Sequence, residues 1–353
     1  MGGSVAPWRA PPFVEVHVPA APITARTVEA REARLLGLGA YRPRRTVTND
    51  EVCARIEGTD PGWVLSRSGI STRRFAGADE TVVVMAAQAA GDALAAAGLA
   101  AGQIDAVLVA TMSPDTVCPQ VSTRVAALLG VTAPAMDLGA ACSGFCYGLE
   151  LAASLVRGGT AQHVLLVGVE RMSDLLDPTD RGTAFLFGDG AGAVVVGPSA
   201  APGVGPVAWG SDGANAELIV HGPSGSGTDE QVPGLRMQGP AVFRWASTQI
   251  APLAEKALAT AGVGVGDLDA FVPHQANNRI TDALVRALAL SERTVVARDV
   301  VTTGNTSAAS VPLAMHALLT DGTARPGDLA LLAGFGAGLT YAAQVVALPG
   351  VGS

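Results

Sequence analysis

The chain has 353 residues, which is enough for one large folded body or two ordinary domains. Apolar residues make up 49% of it and charged residues only 15%, which excludes a disordered chain. The formal net charge of -8 has the wrong sign for a general nucleic-acid binder, whose affinity comes from neutralising phosphates. We therefore expect a compact protein with a large core and no nucleic-acid partner.

Residues 1–34 read as an N-terminal extension to which we assign no role. They mix proline, glutamate and arginine and lack the apolar run of a secretory signal. The four cysteines of this large chain are scattered, which favours reduced thiols over a disulfide framework; they are Cys53, Cys118, Cys142 and Cys146. These features favour a cytoplasmic protein.

Two segments of the chain form an internal repeat. Residues 93–107 (ALAAAGLAAGQIDAV) and 257–271 (ALATAGVGVGDLDAF) agree at eight of fifteen positions, at an offset of 164. Each copy reads as a helix end, a glycine stop and a strand entered through Asp-Ala. Residues 160–161 and 323–324, both Thr-Ala, precede apolar strands at an offset of 163. A duplicated chain would bring equivalent loops together across a pseudo-twofold axis.

Strands and helices alternate in both copies, and this predicts mostly parallel sheets covered by helices. We assign one half to residues 35–200 and the other to residues 201–353. Two such halves that share their inner helices would make one layered body.

Cys142 follows a short apolar strand that ends near Leu138 and precedes a helix that continues to Val156. A helix N-terminus carries unpaired N–H groups and partial positive charge, which would lower the thiol pKa and favour a nucleophilic thiolate. On residue type alone, a small buried cysteine is the commoner role. Cys146, four residues later, brings no second pair of ligands, so no zinc site is predicted.

Two further polar residues stand at ends of predicted elements. Adding 163 to 142 gives Asn305, in TTGNTSAAS, so the repeat predicts that Asn305 and Cys142 are equivalent; the alternative for Asn305 is a helix N-cap. His274 follows the second Asp-Ala strand, at the strand end where ligands bind in such sheets. A neutral imidazole there can donate its N–H to an oxygen that gains negative charge, whereas the alternative is a structural histidine.

Glycine-rich runs at 188–192 and 334–338 lead into strands, whereas a dinucleotide fingerprint opens a helix, so neither predicts a nucleotide site. Amides of the second run are candidates for an oxyanion hole. The uncharged tail 329–353 is long enough for a membrane span, but three glycines and Pro349 interrupt it. Two buried strands joined by a glycine turn fit better, so no membrane partner is expected.

Taken together, four motifs closely resemble β-ketoacyl-acyl carrier protein synthase III, a member of the thiolase-like condensing enzymes. They occur in the expected order within a resemblance from about Ala33 to Leu348, and they are AACSGF (140–145), VPHQAN (272–277), GNTSAAS (304–310) and GFGAG (334–338). The Cys-His-Asn set is specific, since chain-elongating synthases carry two histidines and thiolases pair two cysteines with a histidine. The resemblance implies an α/β, duplicated, five-layered αβαβα fold and a homodimer.

The resemblance also implies the reaction. Cys142 takes the acyl group from acyl-CoA, and malonyl-acyl carrier protein then loses carbon dioxide. His274 and Asn305 hydrogen-bond the resulting enolate, which attacks the acyl-enzyme. The amides of Cys142 and Ala337 stabilise the acyl oxyanion; relatives usually have glycine at 337, but the backbone donor survives the change. No cofactor is implied, because acyl-CoA and malonyl-acyl carrier protein are substrates.

Substrate contacts follow from matching positions. Trp63, Arg67 and Arg181 resemble the residues that hold the coenzyme A adenine, where stacking and cation–π contact are useful. Arg244, Asn277 and Arg279 resemble contacts to the phosphopantetheine or the acidic carrier protein. For the arginines, the alternative is a solvated surface.

Two departures from the family are visible. One is the N-terminal extension of roughly 32 residues. The other is Cys118, which stands where many relatives carry phenylalanine in the wall that the dimer partner adds to the acyl pocket. A smaller side chain there predicts a primer larger than acetyl, with Phe335 as another part of the wall.

Two alternative functions remain open. A related acyltransferase would move the acyl group from Cys142 to an alcohol or amine; Asn305 argues against it, because simple transfer needs no decarboxylation. A noncatalytic acyl-binding partner would lack the nucleophile, so Cys142 argues against that reading. The sequence leaves open whether the product enters fatty acid or polyketide synthesis.

Overall fold

The computed structural model describes residues 31–222 and 234–352. Its strands are β1 (Glu32–Tyr41), β2 (Arg45–Thr48), β3 (Thr72–Phe75), β4 (Ala106–Ala110), β5 (Ala135–Leu138), β6 (Val164–Arg171), β7 (Asp189–Ser199), β8 (Ala208–Ser211), β9 (Ile219–His221), β10 (Leu235–Met237), β11 (Ala270–Pro273), β12 (Val295–Val296), β13 (Leu329–Gly336) and β14 (Thr340–Ala347). Its helices are α1 (Asn49–Cys53), α2 (Pro61–Ser68), α3 (Val82–Ala97), α4 (Val121–Leu129), α5 (Gly144–Arg157), α6 (Gly239–Ala261), α7 (Asn278–Ala287), α8 (Val300–Thr303) and α9 (Ser310–Thr320). Short 3₁₀ turns, Ala141–Ser143 and Ser307–Ala309, lead into α5 and α9.

Ten of the strands form two five-stranded sheets with the same topology. The first has the order β1-β7-β6-β4-β5 and the second the order β8-β14-β13-β11-β12. In both sheets the first two junctions are antiparallel and the last two parallel. This identity confirms the duplication, but the sheets are mixed, so the prediction of mostly parallel sheets is wrong.

Apolar side chains pack in three successive layers of core. One core lies between α3, α4 and the first sheet, a second surrounds α5 and α9 between the two sheets, and a third joins the second sheet to α6 and α7. Small residues permit this stacking: a Cβ on Gly37 or Gly39 of β1 would collide with the backbone of Ala93 or Ala89 in α3. The fold is therefore the predicted five-layered αβαβα arrangement.

The glycine stops of the repeat lie where the sequence predicts them. Gly98 ends α3 with φ of 65° and Gly262 ends α6 with φ of 68°, a left-handed conformation that glycine adopts without strain. Their N–H groups bond carbonyls of the last helical turn, as in other glycine-capped helices. A strand enters its sheet a few residues later in both copies.

The chain ends also bear on the predictions. β1 begins at Glu32, which pairs with Ser199, so residues 32–34 belong to the first sheet and not to an extension. Residues 1–30 lie outside the described residues. The tail forms the antiparallel pair β13 and β14, as predicted. Within 31–222 and 234–352, no helix is long and apolar enough to cross a membrane.

The pairing of the strands shows how the two halves correspond. Ala106 pairs with Val164 in the first sheet, and its repeat partner Ala270 pairs with Ala330 in the second. Val164 therefore corresponds to Ala330, an offset of 330 − 164 = 166.

The turns that lead into α5 and α9 have this same offset of 166, and their first residues both have positive φ, 44° at Ala141 and 46° at Ser307. The counterpart of Cys142 is therefore Ala308, and the prediction that Asn305 is its equivalent is wrong by three residues. Helix lengths explain the error: α5 has 14 residues and α9 has 11, so the offset of 163 matches the helix C-termini but not their N-termini.

Candidate active site

Cys142 lies in the 3₁₀ turn between β5 and α5, facing the end of β13. A Cβ on Gly336 would come within 2.7 Å of the Cys142 Cβ and 3.0 Å of its sulfur. Glycine at this strand end therefore lets the second half of the chain approach the cysteine closely. The side chain of Cys142 is buried.

Burial raises the pKa of the Cys142 thiol to about 12; a hydrogen bond with Ser307 lowers it, and the charge of Glu170 raises it further. The prediction that the helix end lowers this pKa is therefore wrong. Cys142 precedes Ser143, the N-cap of α5, and desolvation is the largest influence on its pKa. The thiol is protonated at neutral pH, so its proton must leave as the sulfur attacks.

His274 directly follows β11, as predicted, and is held on three sides. Its backbone N–H donates to the carbonyl of Ala333 at 2.7 Å, and its ring Nδ1 lies 2.7 Å from Ser310 Oγ. The ring packs edge-on to Phe335, with centroids 5.2 Å apart. Burial lowers the pKa of His274 to about 3, so the imidazole is neutral.

Asn305 follows Gly304, whose φ of 69° a side chain would strain. Its backbone is bonded on both sides, with its N–H donating to Leu186 and its carbonyl accepting from Gly188, at 2.8 and 3.0 Å. The side-chain Oδ1 accepts the N–H of Ser307 at 2.9 Å. Asn305 is not itself the N-cap residue, because the 3₁₀ turn that leads into α9 begins at Ser307 and its N-cap is Thr306. With its oxygen occupied, the amide of Asn305 has its NH₂ group to donate.

One cavity of about 550 Å³ joins these three residues, since Cys142, His274 and Asn305 all line it. The cavity wall also contains every other predicted site residue except Cys118, namely Trp63, Arg67, Arg181, Arg244, Asn277, Arg279, Phe335 and Ala337. The fold thus brings together residues that are as far apart in sequence as 63 and 337.

Cations and aromatic rings alternate in part of this wall. The guanidinium carbons of Arg67 and Arg181 lie 5.4 and 4.9 Å from the centre of the Trp63 ring, and that of Arg279 lies 5.4 Å from the Phe243 ring. Such surfaces attract flat and anionic groups. Asn277 has a structural role as well, because its Oδ1 caps α7.

Cys118 is exposed and does not line the cavity of its own chain. It precedes Pro119 in the connection between β4 and α4. Its expected contribution to an acyl pocket requires a second copy of the chain and stays a prediction.

Sequence reasoning missed three polar residues that support the site. Ser310 contacts His274, Ser307 bonds Asn305, and the buried Glu170 at the end of β6 accepts from the Ser307 hydroxyl at 3.0 Å. A carboxylate that closes the apolar run VLLVGVE is a detectable signal, since a buried charge requires partners. The serines lie within the GNTSAAS motif, but nothing in the sequence assigns them individual contacts.

Comparison with known proteins identifies the family. The family model for 3-oxoacyl-[acyl-carrier-protein (ACP)] synthase III matches residues 136–213, and the model for its C-terminal part matches residues 258–348. A β-ketoacyl-[acyl-carrier-protein] synthase III from Streptomyces glaucescens is 52% identical over 322 residues, covering 90% of this chain and 96% of the relative. The chain belongs to the β-ketoacyl-acyl carrier protein synthase III family.

Other synthase III proteins agree with this assignment. The relative from Mycobacteroides abscessus is 50% identical over 90% of this chain and 95% of its own. Among solved structures, the priming β-ketosynthase of the R1128 polyketide biosynthetic pathway superposes with a TM-score of 0.89 at 48% identity, covering 93% of this chain and 99% of that one. The synthase III from Pseudomonas aeruginosa gives 0.84 at 41% identity, with coverage of 92% and 100%. The resemblance and the thiolase-like fold class are confirmed.

Proposed function

We propose that this chain condenses an acyl-CoA primer with malonyl-acyl carrier protein and releases carbon dioxide. The observation that carries the proposal is the meeting of Cys142, His274 and Asn305 in one cavity that also contains the Trp63 and arginine surface. A nucleophile, two neutral hydrogen-bond donors and a binding surface for an anionic carrier are what this reaction requires.

In the first step, the Cys142 sulfur attacks the thioester carbonyl of acyl-CoA. The bond from the carbonyl carbon to the coenzyme A sulfur breaks, and coenzyme A leaves as a thiol with the proton that Cys142 gives up. Backbone N–H groups of Cys142 and Ala337 are our candidates for the donors to the tetrahedral oxyanion. Gly336 lies close to the Cys142 sulfur, and Ala337 is the next residue of the chain. This close approach supports the role of the Ala337 N–H.

In the second step, malonyl-acyl carrier protein occupies the same cavity and its carboxylate leaves as carbon dioxide. The thioester oxygen of the enolate then accepts from His274 and from the NH₂ group of Asn305. Because the imidazole is neutral, with its pKa lowered to about 3, it acts as a hydrogen-bond donor and not as an acid. The enolate carbon attacks the acyl carbonyl on Cys142, and the bond from that carbon to the Cys142 sulfur breaks. The thiolate that leaves takes up a proton from solvent, which restores the thiol as the β-ketoacyl product is released.

Both proposed substrates carry negative charge. The chain has a formal net charge of -8, which would repel coenzyme A phosphates and an acidic carrier protein. Arg67, Arg181, Arg244 and Arg279 in the cavity wall supply local positive charge that offsets this repulsion.

We also propose a homodimer formed through the edge of the first sheet. β5 is the outermost strand there, and Met136 within it is 43% exposed. Val117, next to Cys118, is 95% exposed. An open strand edge beside exposed apolar side chains favours pairing with a second copy. In such a dimer, Cys118 would reach the partner's pocket and admit a primer larger than acetyl.

A cytoplasmic location is part of the proposal. All four cysteines are free thiols, which suits a reducing compartment. We further expect no metal or cofactor, since each step uses side chains, backbone amides and the substrates.

The experiment is an acyl-CoA series supplied with malonyl-acyl carrier protein. We expect an acyl adduct on the Cys142 peptide by mass spectrometry, release of carbon dioxide and a β-ketoacyl carrier protein. An adduct without carbon dioxide would contradict condensation and favour acyl transfer to another acceptor. Comparison with Cys118→Phe tests the primer, since the larger side chain should shift turnover toward acetyl-CoA. A preference of the unaltered protein for acetyl-CoA would overturn the larger primer.

A further inference from the structure

Glu170 is a fully buried carboxylate that connects the two halves of the chain. From the first half, its Oε2 accepts from the hydroxyls of Ser113 at 2.6 Å and Thr111 at 3.2 Å. From the second half, its Oε1 accepts from Ser307 Oγ at 3.0 Å and lies 3.5 Å from the amide nitrogen of Ala308. Glu170 takes no part in the bond changes at Cys142, although a buried carboxylate is costly to maintain.

The duplication clarifies what Glu170 does. At the offset of 166, its counterpart is Gly336, the residue that lies against Cys142. The last part of β13 thus faces the turn that carries the nucleophile, and the last part of β6 faces the matching turn at Ser307–Ala309. One strand end allows close approach, whereas the other holds its turn through hydrogen bonds.

Ser307 is the residue of that turn that needs support. Its φ of 46° is rare for a residue with a side chain and persists only where the surroundings fix it. Its N–H donates to Asn305 Oδ1 at 2.9 Å, and this bond decides which end of the Asn305 amide can donate to a ligand. The Ser307 hydroxyl in turn donates to Glu170.

We propose that Glu170 is a positioning residue for the condensation step, because it holds the Ser307 turn that orients the Asn305 amide. The inference rests on the proposed function, in which Asn305 donates to the enolate. Without Glu170, Ser307 loses the acceptor that holds its conformation, and the amide of Asn305 is free to rotate or flip.

This role affects the two steps of the reaction unequally. Asn305 is needed when the malonyl group loses carbon dioxide, but it is not needed when Cys142 takes the acyl group. Loss of Glu170 should therefore slow decarboxylation, whereas acylation should not slow, because removing the Glu170 charge lowers the pKa of Cys142. A variant that is merely misfolded would lose both steps together.

The experiment compares Glu170→Ala with Glu170→Gln in the full-length protein. Acylation is followed by the mass of Cys142 after exposure to acyl-CoA, and decarboxylation by carbon dioxide released from malonyl-acyl carrier protein. For Glu170→Ala we expect about a 10- to 100-fold loss of decarboxylation, somewhat less than the loss of a full oxyanion donor, and no loss of acylation. Glu170→Gln keeps an oxygen for Ser307 and should recover most of the lost rate.

Asp105→Ala is the matched control. Asp105 also accepts from two residues across neighbouring chain segments, the amides of Gln162 and His163, but it lies at the opposite end of the first sheet. Its removal tests whether losing any bridging carboxylate has the same effect. Equal losses in both reactions for Glu170→Ala and Asp105→Ala would overturn the proposal.

Ser307→Ala provides an independent test if Glu170→Ala does not fold, because Glu170 then keeps its bonds to Ser113 and Thr111. The decarboxylation defects of Ser307→Ala and Glu170→Ala should not add in the double variant, since both break one connection. Fully additive defects would overturn the proposal. If the unaltered protein releases no carbon dioxide, the proposed function itself fails. If it releases carbon dioxide and Glu170→Ala does so at the same rate, only the role of Glu170 fails.

Discussion

The hydroxyl of Ser310 lies 2.7 Å from Nδ1 of His274, and both side chains are buried. Ser310 Oγ is also 3.4 Å from the amide nitrogen of Gln275, which donates to it. With its oxygen accepting from Gln275, the serine has its proton to give to Nδ1. When the serine donates this proton to Nδ1, the neutral imidazole carries its own proton on Nε2, which is the tautomer that can donate to a substrate.

Replacing Ser310 by alanine should therefore allow the other tautomer and slow decarboxylation at least about tenfold, because a donor is lost from the enolate site. Acylation of Cys142 should change little. Ser122→Ala is the control, since Ser122 is a fully buried serine whose Oγ has no partner within the described ranges. Equal carbon dioxide release from both variants would show that the tautomer does not depend on Ser310.

Gly336→Ala should damage acylation directly. The added Cβ would lie 2.7 Å from the Cys142 Cβ, so the nucleophile or β13 must move. We expect acyl-enzyme formation to fall at least about tenfold, as small displacements of reacting groups are costly. Gly266→Ala is the matched change, because a Cβ there meets nothing within 4 Å. Acylation by Gly336→Ala at the rate of Gly266→Ala would contradict the close approach.

Trp63→Ala should raise KM for acyl-CoA while leaving kcat nearly unchanged. The guanidinium carbons of Arg67 and Arg181 lie 5.4 and 4.9 Å from the ring centre, which is a binding surface, so loss of the ring should remove binding energy and not chemistry. An acyl N-acetylcysteamine thioester, which lacks the adenine nucleotide, is the control substrate. Its turnover should be the same for both proteins, whereas equal losses with both substrates would place Trp63 in some other role.

Alkylation of Cys142 by iodoacetamide should be slow at neutral pH. With its pKa raised to about 12 by burial, the thiolate fraction rises about tenfold for each pH unit up to that value. Peptide mass mapping separates Cys142 from the exposed Cys118, which serves as an internal reference. A rate for Cys142 that levels off near pH 7 would show that the thiolate is stabilised in the free enzyme.

The stability of Glu170→Gln relative to the unaltered protein should rise from pH 5 to pH 8. Burial raises the pKa of Glu170 from 4.5 to about 7, so between these values the unfolded chain releases a proton that the folded state keeps. The contribution of Glu170 to stability is full below pH 4.5 and is lost as the pH rises through 7. Glutamine does not titrate, so its advantage should grow by up to about 3 kcal/mol. Urea midpoints for both proteins that run parallel from pH 5 to 8 would contradict this.

The sequence allowed the motif residues and the fold class to be predicted well. Cys142, His274 and Asn305 each stand in a short segment whose flanking strand or glycine can be recognised in the sequence. The repeat at 93–107 and 257–271 predicts two similar halves. These signals are short sequence patterns or repeats, so they can be recognised from the sequence alone. Trp63 and Ala337 line one cavity, and the contacts that the resemblance implies for them stay predictions.

Other features depend on contacts between distant segments. The sign of the shift in the pKa of Cys142 follows from how completely the packed layers exclude water, which no local pattern records. The register between Cys142 and Ala308 depends on helix α9 being shorter than α5, and the ends of helices are the least predictable part of a sequence. The link from Glu170 to Ser307 spans 137 residues and has no sequence signature.

The matched topology of the two sheets has a consequence for how such a protein can change. In an assembly of two identical chains, any substitution at a turn alters both copies at once, and a cysteine on one side would face a cysteine on the other. Joining the copies in one chain releases them from this constraint. One turn can then carry Cys142 while the equivalent turn carries Ala308. One strand can end in Gly336 while the equivalent strand ends near Glu170. The half that carries the nucleophile and the half that holds the donors can therefore change independently.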